Sequence, residues 1–131
     1  MVSTEERRLI PTIHTNLAVF LIGFAGATGL VGLVLAATRR TPPRWFYGAT
    51  YLALGAALVQ VGLGLIMYGQ GRNPGSIHMF YGIVILFTLA FAYIYRTTLA
   101  RRPALGWGLL LLFVMGLGIR GWTNFGLSFG G

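Results

Sequence analysis

The fold is decided by residues 13–37, which read IHTNLAVFLIGFAGATGLVGLVLAA and contain no charged side chain. As an α-helix rising about 1.5 Å per residue, a run of about 25 residues is roughly 37 Å long, more than the ~30 Å hydrocarbon core of a bilayer. Pro11 suits the first turn of such a helix. A secretory signal peptide would have an apolar region of only about 7–15 residues behind a positively charged leader. Because this run is longer and its leader is neutral, we expect a membrane span.

Three further apolar runs follow the first one. They cover about residues 45–68, 77–95 and 104–119, and they are separated by the loops 39–44 and 96–103 and by the turn 69–76. Arg120 interrupts the last run, so its end is placed at Ile119. The chain is therefore predicted to form one all-α transmembrane domain over residues 1–131. Its four helices should pack as an up-down-up-down bundle.

The composition excludes several other classes of protein. The chain is 56% hydrophobic and only 9% charged, whereas soluble domains carry roughly 25% charged residues. The formal net charge of +8 would suggest nucleic acid in a soluble protein, but the basic residues are all arginines in short clusters between apolar runs. Cysteine is absent, which excludes disulfides, thiolate metal sites and iron–sulfur clusters. We expect the lipid bilayer, and no nucleic acid, as a partner.

The distribution of arginines predicts the orientation. The loops 39–44 and 96–103 each carry three arginines, while the opposite side has a neutral leader, Arg72 and Arg120. By the positive-inside rule the two Arg-rich loops are cytoplasmic. The predicted location is the cell inner (plasma) membrane, crossed several times, with both termini and the 69–76 turn on the outer face.

The two halves of the chain share an outline. His14 precedes the pair Arg39-Arg40, and His78 precedes Arg101-Arg102 at a similar distance. Each pair is followed by proline and then tryptophan. One interpretation is a duplicated helical hairpin, with the repeats related by an axis along the membrane normal. The other is that arginine and proline recur at the cytoplasmic loops of any such protein.

Few side chains are available for chemistry. No Asp, Glu or Lys lies in any predicted span, so a carboxylate proton relay or a hydrolytic triad cannot be assembled. His14 and His78 begin the first and third spans, which run in the same direction, and should lie at similar depth. The N-terminal end of a helix favours a neutral imidazole, the form that ligates a metal or haem iron. Arg72 and Arg120 lie at the same end and could pair with an anion, although Arg120 could instead snorkel to lipid headgroups.

This combination resembles small four-helix membrane b-type cytochromes and accessory subunits of respiratory electron-transfer complexes. The resemblance rests on His14, His78, the helix count and the arginines at that end. It implies that the two histidines are axial ligands of a haem b iron, with Arg72 or Arg120 beside the haem propionates. The competing interpretation is that both histidines lie at the membrane interface and bond to backbone or lipid headgroups.

Two further features concern helix packing. Gln60, in the middle of the second span, should hydrogen-bond to a neighbouring helix for about 0.6 kcal/mol, with a quinone carbonyl as the alternative partner. The first span carries a row of glycines that should face another helix, because small residues let helix backbones approach closely. The row comprises Gly23, Gly26, Gly29 and Gly32.

Three functional interpretations follow. The first is a cofactor-free accessory subunit of a respiratory or photosynthetic electron-transfer complex, which packs helices and lipids and has no catalytic activity of its own. The second is a haem-b electron carrier with His14 and His78 as axial ligands near the outer face. The third, a small transporter, would need broken helices and polar groups at the midplane. The expected partners are the bilayer, other membrane subunits and, for the haem carrier, a quinone.

Overall fold

The structure, a computed structural model, describes residues 3–129, which contain helices and no strand. Four long helices are joined by short connections, and a single-turn helix precedes the last of them. These are α1 (Thr4–Ala37), α2 (Arg44–Gly69), α3 (Ser76–Ile94), α4 (Arg96–Leu99) and α5 (Pro103–Thr123). The four long helices are each long and apolar enough to cross a membrane. The predicted all-α bundle of four spans is therefore confirmed, and the protein is an integral membrane protein.

The first helix begins earlier than the apolar pattern predicts. Ser3 caps it, because its Oγ accepts a hydrogen bond from the Glu6 amide at 3.2 Å while the Glu6 carboxylate accepts from the Ser3 amide at 3.3 Å. This capping box stabilises a polar first turn that no apolar residues mark. The expectation that Pro11 lies in the first turn is wrong, since Pro11 is inside the helix.

The last helix ends later than predicted. It continues through Arg120 to Thr123 instead of ending at Ile119. The Arg120 side chain is exposed at the rim of the bundle, where a long arginine can reach water without breaking the helix. The predicted loop 96–103 also contains a helical turn, α4, over Arg96–Leu99.

The helices are arranged so that α1 and α3 are diagonal partners. Helix α1 packs against α2 and α5, and α3 packs against the same two helices. The buried interior is mainly aliphatic and includes Leu21, Ala57, Leu111 and Val114. The interface between α1 and α5 is more extensive than the one between α2 and α3. The proposed duplication of a hairpin stays a prediction.

Glycines form the contact between α1 and α5. Gly26, Gly29 and Gly32 are buried on the side of α1 that meets α5. A Cβ atom at position 29 would lie 3.0 Å from the Gly108 carbonyl oxygen, and one at position 32 would lie 2.9 Å from the Gly108 Cα. This confirms that the row faces a helix, with one correction. Gly23 is exposed, and a Cβ there would have no described atom within 4 Å.

The connections define two ends of the bundle. The arginine-rich end carries the connections 38–43 and 95–102, and Gly32 near the end of α1 meets Ala104 at the start of α5 there. The histidine end carries the 70–75 turn, the start of α1 and the segment 124–129. The two Arg-rich loops thus share one end, as predicted. Which end faces the cytoplasm stays a prediction.

Candidate functional site

The two histidines of the chain meet inside the histidine end of the bundle. His14 lies in α1 and His78 near the start of α3, and both side chains are partly buried. Their ring centroids are 6.3 Å apart and the ring planes are inclined by 66°. Because α1 and α3 are diagonal partners, the rings approach each other across the centre of the bundle. The sequence prediction of similar depth agrees with this placement. The expectation that His14 begins its helix is wrong, because α1 already starts at Thr4, so the helix N-terminus argument for a neutral imidazole applies to His78 alone.

His78 is held by the last turn of α5. Its Nδ1 is 2.7 Å from the backbone carbonyl oxygen of Gly121. A carbonyl only accepts, so the imidazole must donate from Nδ1, and in the neutral ring Nε2 then keeps its lone pair. Phe125 packs edge-on against the same ring, with centroids 5.5 Å apart. A histidine oriented in this way through one nitrogen presents the other to a metal.

His14 is placed by α2. The Gln60 side-chain Nε2 donates to the His14 carbonyl oxygen at 2.8 Å, which confirms the predicted hydrogen bond from Gln60 to a neighbouring helix. Gly64, one turn further along α2, lies beside the imidazole: a Cβ there would be in van der Waals contact with His14 Cε1, at 3.4 Å.

Two polar atoms at this position have no partner. His14 Nδ1 and Gln60 Oε1 are buried, and neither makes a hydrogen bond within the part of the chain that the structure describes. A buried polar atom without a partner costs about 1–3 kcal/mol. The interior of the histidine end is therefore suited to a polar or metal-containing ligand.

Arg72 forms a hydrogen bond to the backbone of α1 that the sequence did not predict. Its Nη2 donates to the Arg7 carbonyl oxygen at 2.7 Å. That carbonyl would normally accept from the amide four residues later, but residue 11 is proline and has no N–H. Arg72 thus satisfies a carbonyl that Pro11 leaves without its helical partner. One of its five N–H donors serves this bond, and the remainder are available to an anion.

Arg120 lies at the same end, next in sequence to the Gly121 that holds His78. Its side chain is exposed, in agreement with the snorkelling interpretation. The structure brings His14 and His78 together, and it places Arg72 and Arg120 at the same end of the bundle.

The segment 124–129 closes this end of the bundle and was missed by the sequence analysis. Its backbone runs along the start of α3, where the Ile77 amide donates to the Leu127 carbonyl at 3.1 Å and the Phe129 amide donates to Ser76 Oγ at 2.8 Å. Gly75 permits the approach, since it has a φ of +92° and a Cβ there would collide with the Leu127 carbonyl. The segment gives His78 its Phe125 neighbour.

Known proteins do not supply a family for this arrangement. No protein-family model matches the chain, and no curated protein or solved structure matches it either. The resemblance to membrane b-type cytochromes therefore rests on the histidines, the helix count and the arginines.

The donor set restricts the kind of metal that could bind. Across residues 3–129, no group of three or more His, Cys, Asp or Glu side chains could hold a metal ion. A bare zinc or copper ion normally takes at least three protein ligands. Haem iron needs only axial ligands from the protein, because the porphyrin supplies its other four nitrogens. Two imidazoles are the number of protein ligands that such a group takes.

Proposed function

We propose that this protein is a haem-b electron carrier of the membrane, with His14 and His78 as the axial ligands. The observation that carries the proposal is the approach of the two imidazoles to 6.3 Å across the bundle diagonal. With Fe–N bonds of about 2 Å and each ring centre roughly 1 Å behind its nitrogen, two axial imidazoles have centroids about 6 Å apart. The separation of 6.3 Å in the structure is close to this value and supports bis-histidine ligation.

The chain's own groups would hold and tune the ligands. The Gly121 carbonyl accepts a hydrogen bond from His78 Nδ1 and so fixes the tautomer of that imidazole. The same hydrogen bond makes the other ring nitrogen, Nε2, a stronger electron-pair donor to a metal. Gln60 ties the backbone at His14 to α2, and the His14 ring lies against Gly64. Haem b, when bound, supplies reversible one-electron transfer. Arg72 and Arg120 are the groups available to its carboxylates.

A second candidate is the cofactor-free accessory subunit. The observation in its favour is the small amount of chain outside the helices, since the connections 38–43 and 70–75 are short. Such a protein offers little surface to a soluble substrate and would act through helix and lipid contacts. Under either proposal it would work beside other membrane subunits of an electron-transfer complex.

A reduced-minus-oxidised absorption spectrum of the purified protein, expressed with haem available, tests the proposal. We expect a b-type difference band in the wild type and in Asn16→Ala, an exposed site two residues from His14 that serves as the control. The band should be lost in both His14→Ala and His78→Ala. Imidazole added to His14→Gly should restore it, because the free ligand can occupy the vacated space.

Other outcomes have definite meanings. Absence of the band from intact wild-type protein would overturn the haem proposal and leave the accessory-subunit candidate. Loss in only one histidine variant would overturn bis-histidine ligation and assign the second position to another residue, with Met67 and Met79 as candidates. Size-exclusion elution of each variant separates loss of haem from loss of fold.

A further inference from the structure

An open apolar groove lies on the lipid-facing surface between α3 and α5, in the half of the bundle opposite the histidine pair. Its volume is about 740 Å³. The walls include Phe87 and Phe91 from α3 and Leu109 and Phe113 from α5. The hydroxyl of Thr88, which also lines it, is already bonded to the Val84 carbonyl at 2.8 Å. The walls therefore suit a hydrocarbon chain.

The length of the groove corresponds to one leaflet. On α3 it extends from Val84 to Ile94, and it continues past Tyr95 to Leu99 of α4. At about 1.5 Å per residue, the α3 wall is roughly 15 Å long. Half of the ~30 Å hydrocarbon core is about 15 Å, the depth reached by an acyl chain of one leaflet. A chain anchored at the arginine-rich end would fill the groove and stop near the midplane.

Two arginines follow the end of the groove in sequence. Arg101 and Arg102, both exposed, lie two and three residues beyond Leu99, which forms this end of the wall. Arg96 is also close but is engaged locally, because its Nη1 donates to the Tyr93 carbonyl at 2.7 Å and its guanidinium lies 4.4 Å from the Tyr93 ring centroid.

No side-chain carboxylate of this chain can neutralise the two arginines. The chain has only two acidic residues, Glu5 and Glu6, and both are at the histidine end. The uncompensated charge at the arginine-rich end thus calls for an anion from outside the chain. Anionic lipid headgroups are the negative charges available at that depth.

We propose that the groove between α3 and α5 binds one acyl chain of an anionic glycerophospholipid, whose phosphate pairs with Arg101 and Arg102. The apolar walls select a chain of leaflet length, and the arginines select a negative headgroup over a zwitterionic one. This site is separate from the histidine pair and is independent of the haem proposal.

Native mass spectrometry of the full chain in neutral detergent tests this site. Phosphatidylglycerol and phosphatidylcholine with identical acyl chains are titrated separately, and the first bound lipid is counted. We expect half-saturation by phosphatidylglycerol at a concentration about tenfold lower, since two arginines face one headgroup charge. In the double variant Arg101→Gln/Arg102→Gln, the two lipids should bind within about twofold of each other.

Matched variants separate the groove from general lipid contact. Leu109→Trp fills the groove and should weaken the first binding event for both lipids, whereas Leu52→Trp, on a lipid-facing side of α2, should not; the two leucines are exposed to similar extents, 52% and 55%. Arg39→Gln/Arg40→Gln removes two arginines from the other loop and should bind like the wild type.

The proposal would be overturned by equal binding of the two lipids by the wild type, by equal loss in the two double arginine variants, or by wild-type binding by Leu109→Trp. Displacement of phosphatidylglycerol by millimolar inorganic phosphate would also overturn it, because it would show an anion site that does not need the groove. Arg101 and Arg102 are both exposed. Their double substitution should therefore leave the packing of the helices unchanged, so that a change in lipid binding reports on the headgroup contact.

Discussion

Pro11 leaves one backbone carbonyl of α1 without its helical hydrogen bond, and Arg72, far away in sequence, supplies a replacement. Proline removes the amide that would bond to the Arg7 carbonyl, and the guanidinium of Arg72 bonds to that carbonyl at 2.7 Å. The contact ties the start of α1 to the turn between α2 and α3. It gives Arg72 a stabilising role whether or not an anion binds beside it.

A double-mutant cycle between these residues measures the contact. Arg72→Ala in the wild-type background should lower the thermal midpoint, because it removes a hydrogen bond worth about 1 kcal/mol. In Pro11→Ala the helix amide returns to the Arg7 carbonyl, so the same Arg72→Ala change should cost less. We expect a coupling energy of about 0.5–1.5 kcal/mol. Equal costs in the two backgrounds would show that Arg72 does not compensate for Pro11.

For single residues, the sequence identified which side chains form the candidate site but did not predict the distances between them. That His14 and His78 share a depth followed from the direction of the two helices. Their separation could not be predicted, because the spans are apolar on all sides and give no preferred inward face. The start of α1 was missed because charged residues hide it from an apolar pattern, although Ser3 and Glu6 have the spacing of a capping box.

For the helices, the sequence predicted a close contact but not the helix that makes it. The glycine row on α1 indicates that another helix packs closely there, and its spacing does not identify that helix. The partner is α5, where Gly108 also lacks a side chain and lets the two helix backbones lie close together. The segment 124–129 was missed because its four apolar and glycine positions are too few to show a period, while its bonds to α3 depend on tertiary structure.

Substitutions along the glycine row should differ in effect by position. Gly32→Ala places a Cβ 2.7 Å from the Ala104 carbonyl oxygen, which belongs to backbone and cannot rotate away. We expect a destabilisation of about 1–3 kcal/mol. Gly23→Ala, at the exposed position of the same row, should be neutral or slightly stabilising because alanine favours the helix. Thermal midpoints in detergent compare the two, and equal midpoints would mean that the α1–α5 contact is looser than the structure has it.

For the whole molecule, the separation of the histidine and arginine-rich ends makes orientation the remaining structural question. The histidine pair, its two arginines and the segment 124–129 occupy one end, and the lipid groove opens at the other. If the arginine-rich end is cytoplasmic, a haem between the histidines would exchange electrons near the outer face. The groove would then take lipids from the cytoplasmic leaflet, where anionic headgroups attract arginine clusters.

Cysteine labelling measures the orientation directly, because the chain has no cysteine of its own. Thr41→Cys lies in the connection at the arginine-rich end, and Gln70→Cys lies in the turn at the histidine end; both positions are exposed. Gln70 is preferable to Ser76, whose hydroxyl accepts a hydrogen bond from the Phe129 amide. An impermeant maleimide applied to intact cells should label Gln70→Cys and spare Thr41→Cys, and permeabilisation should expose both. The reverse pattern would place six of the ten arginines outside, contrary to the positive-inside rule, and would move the histidine pair to the cytoplasmic face.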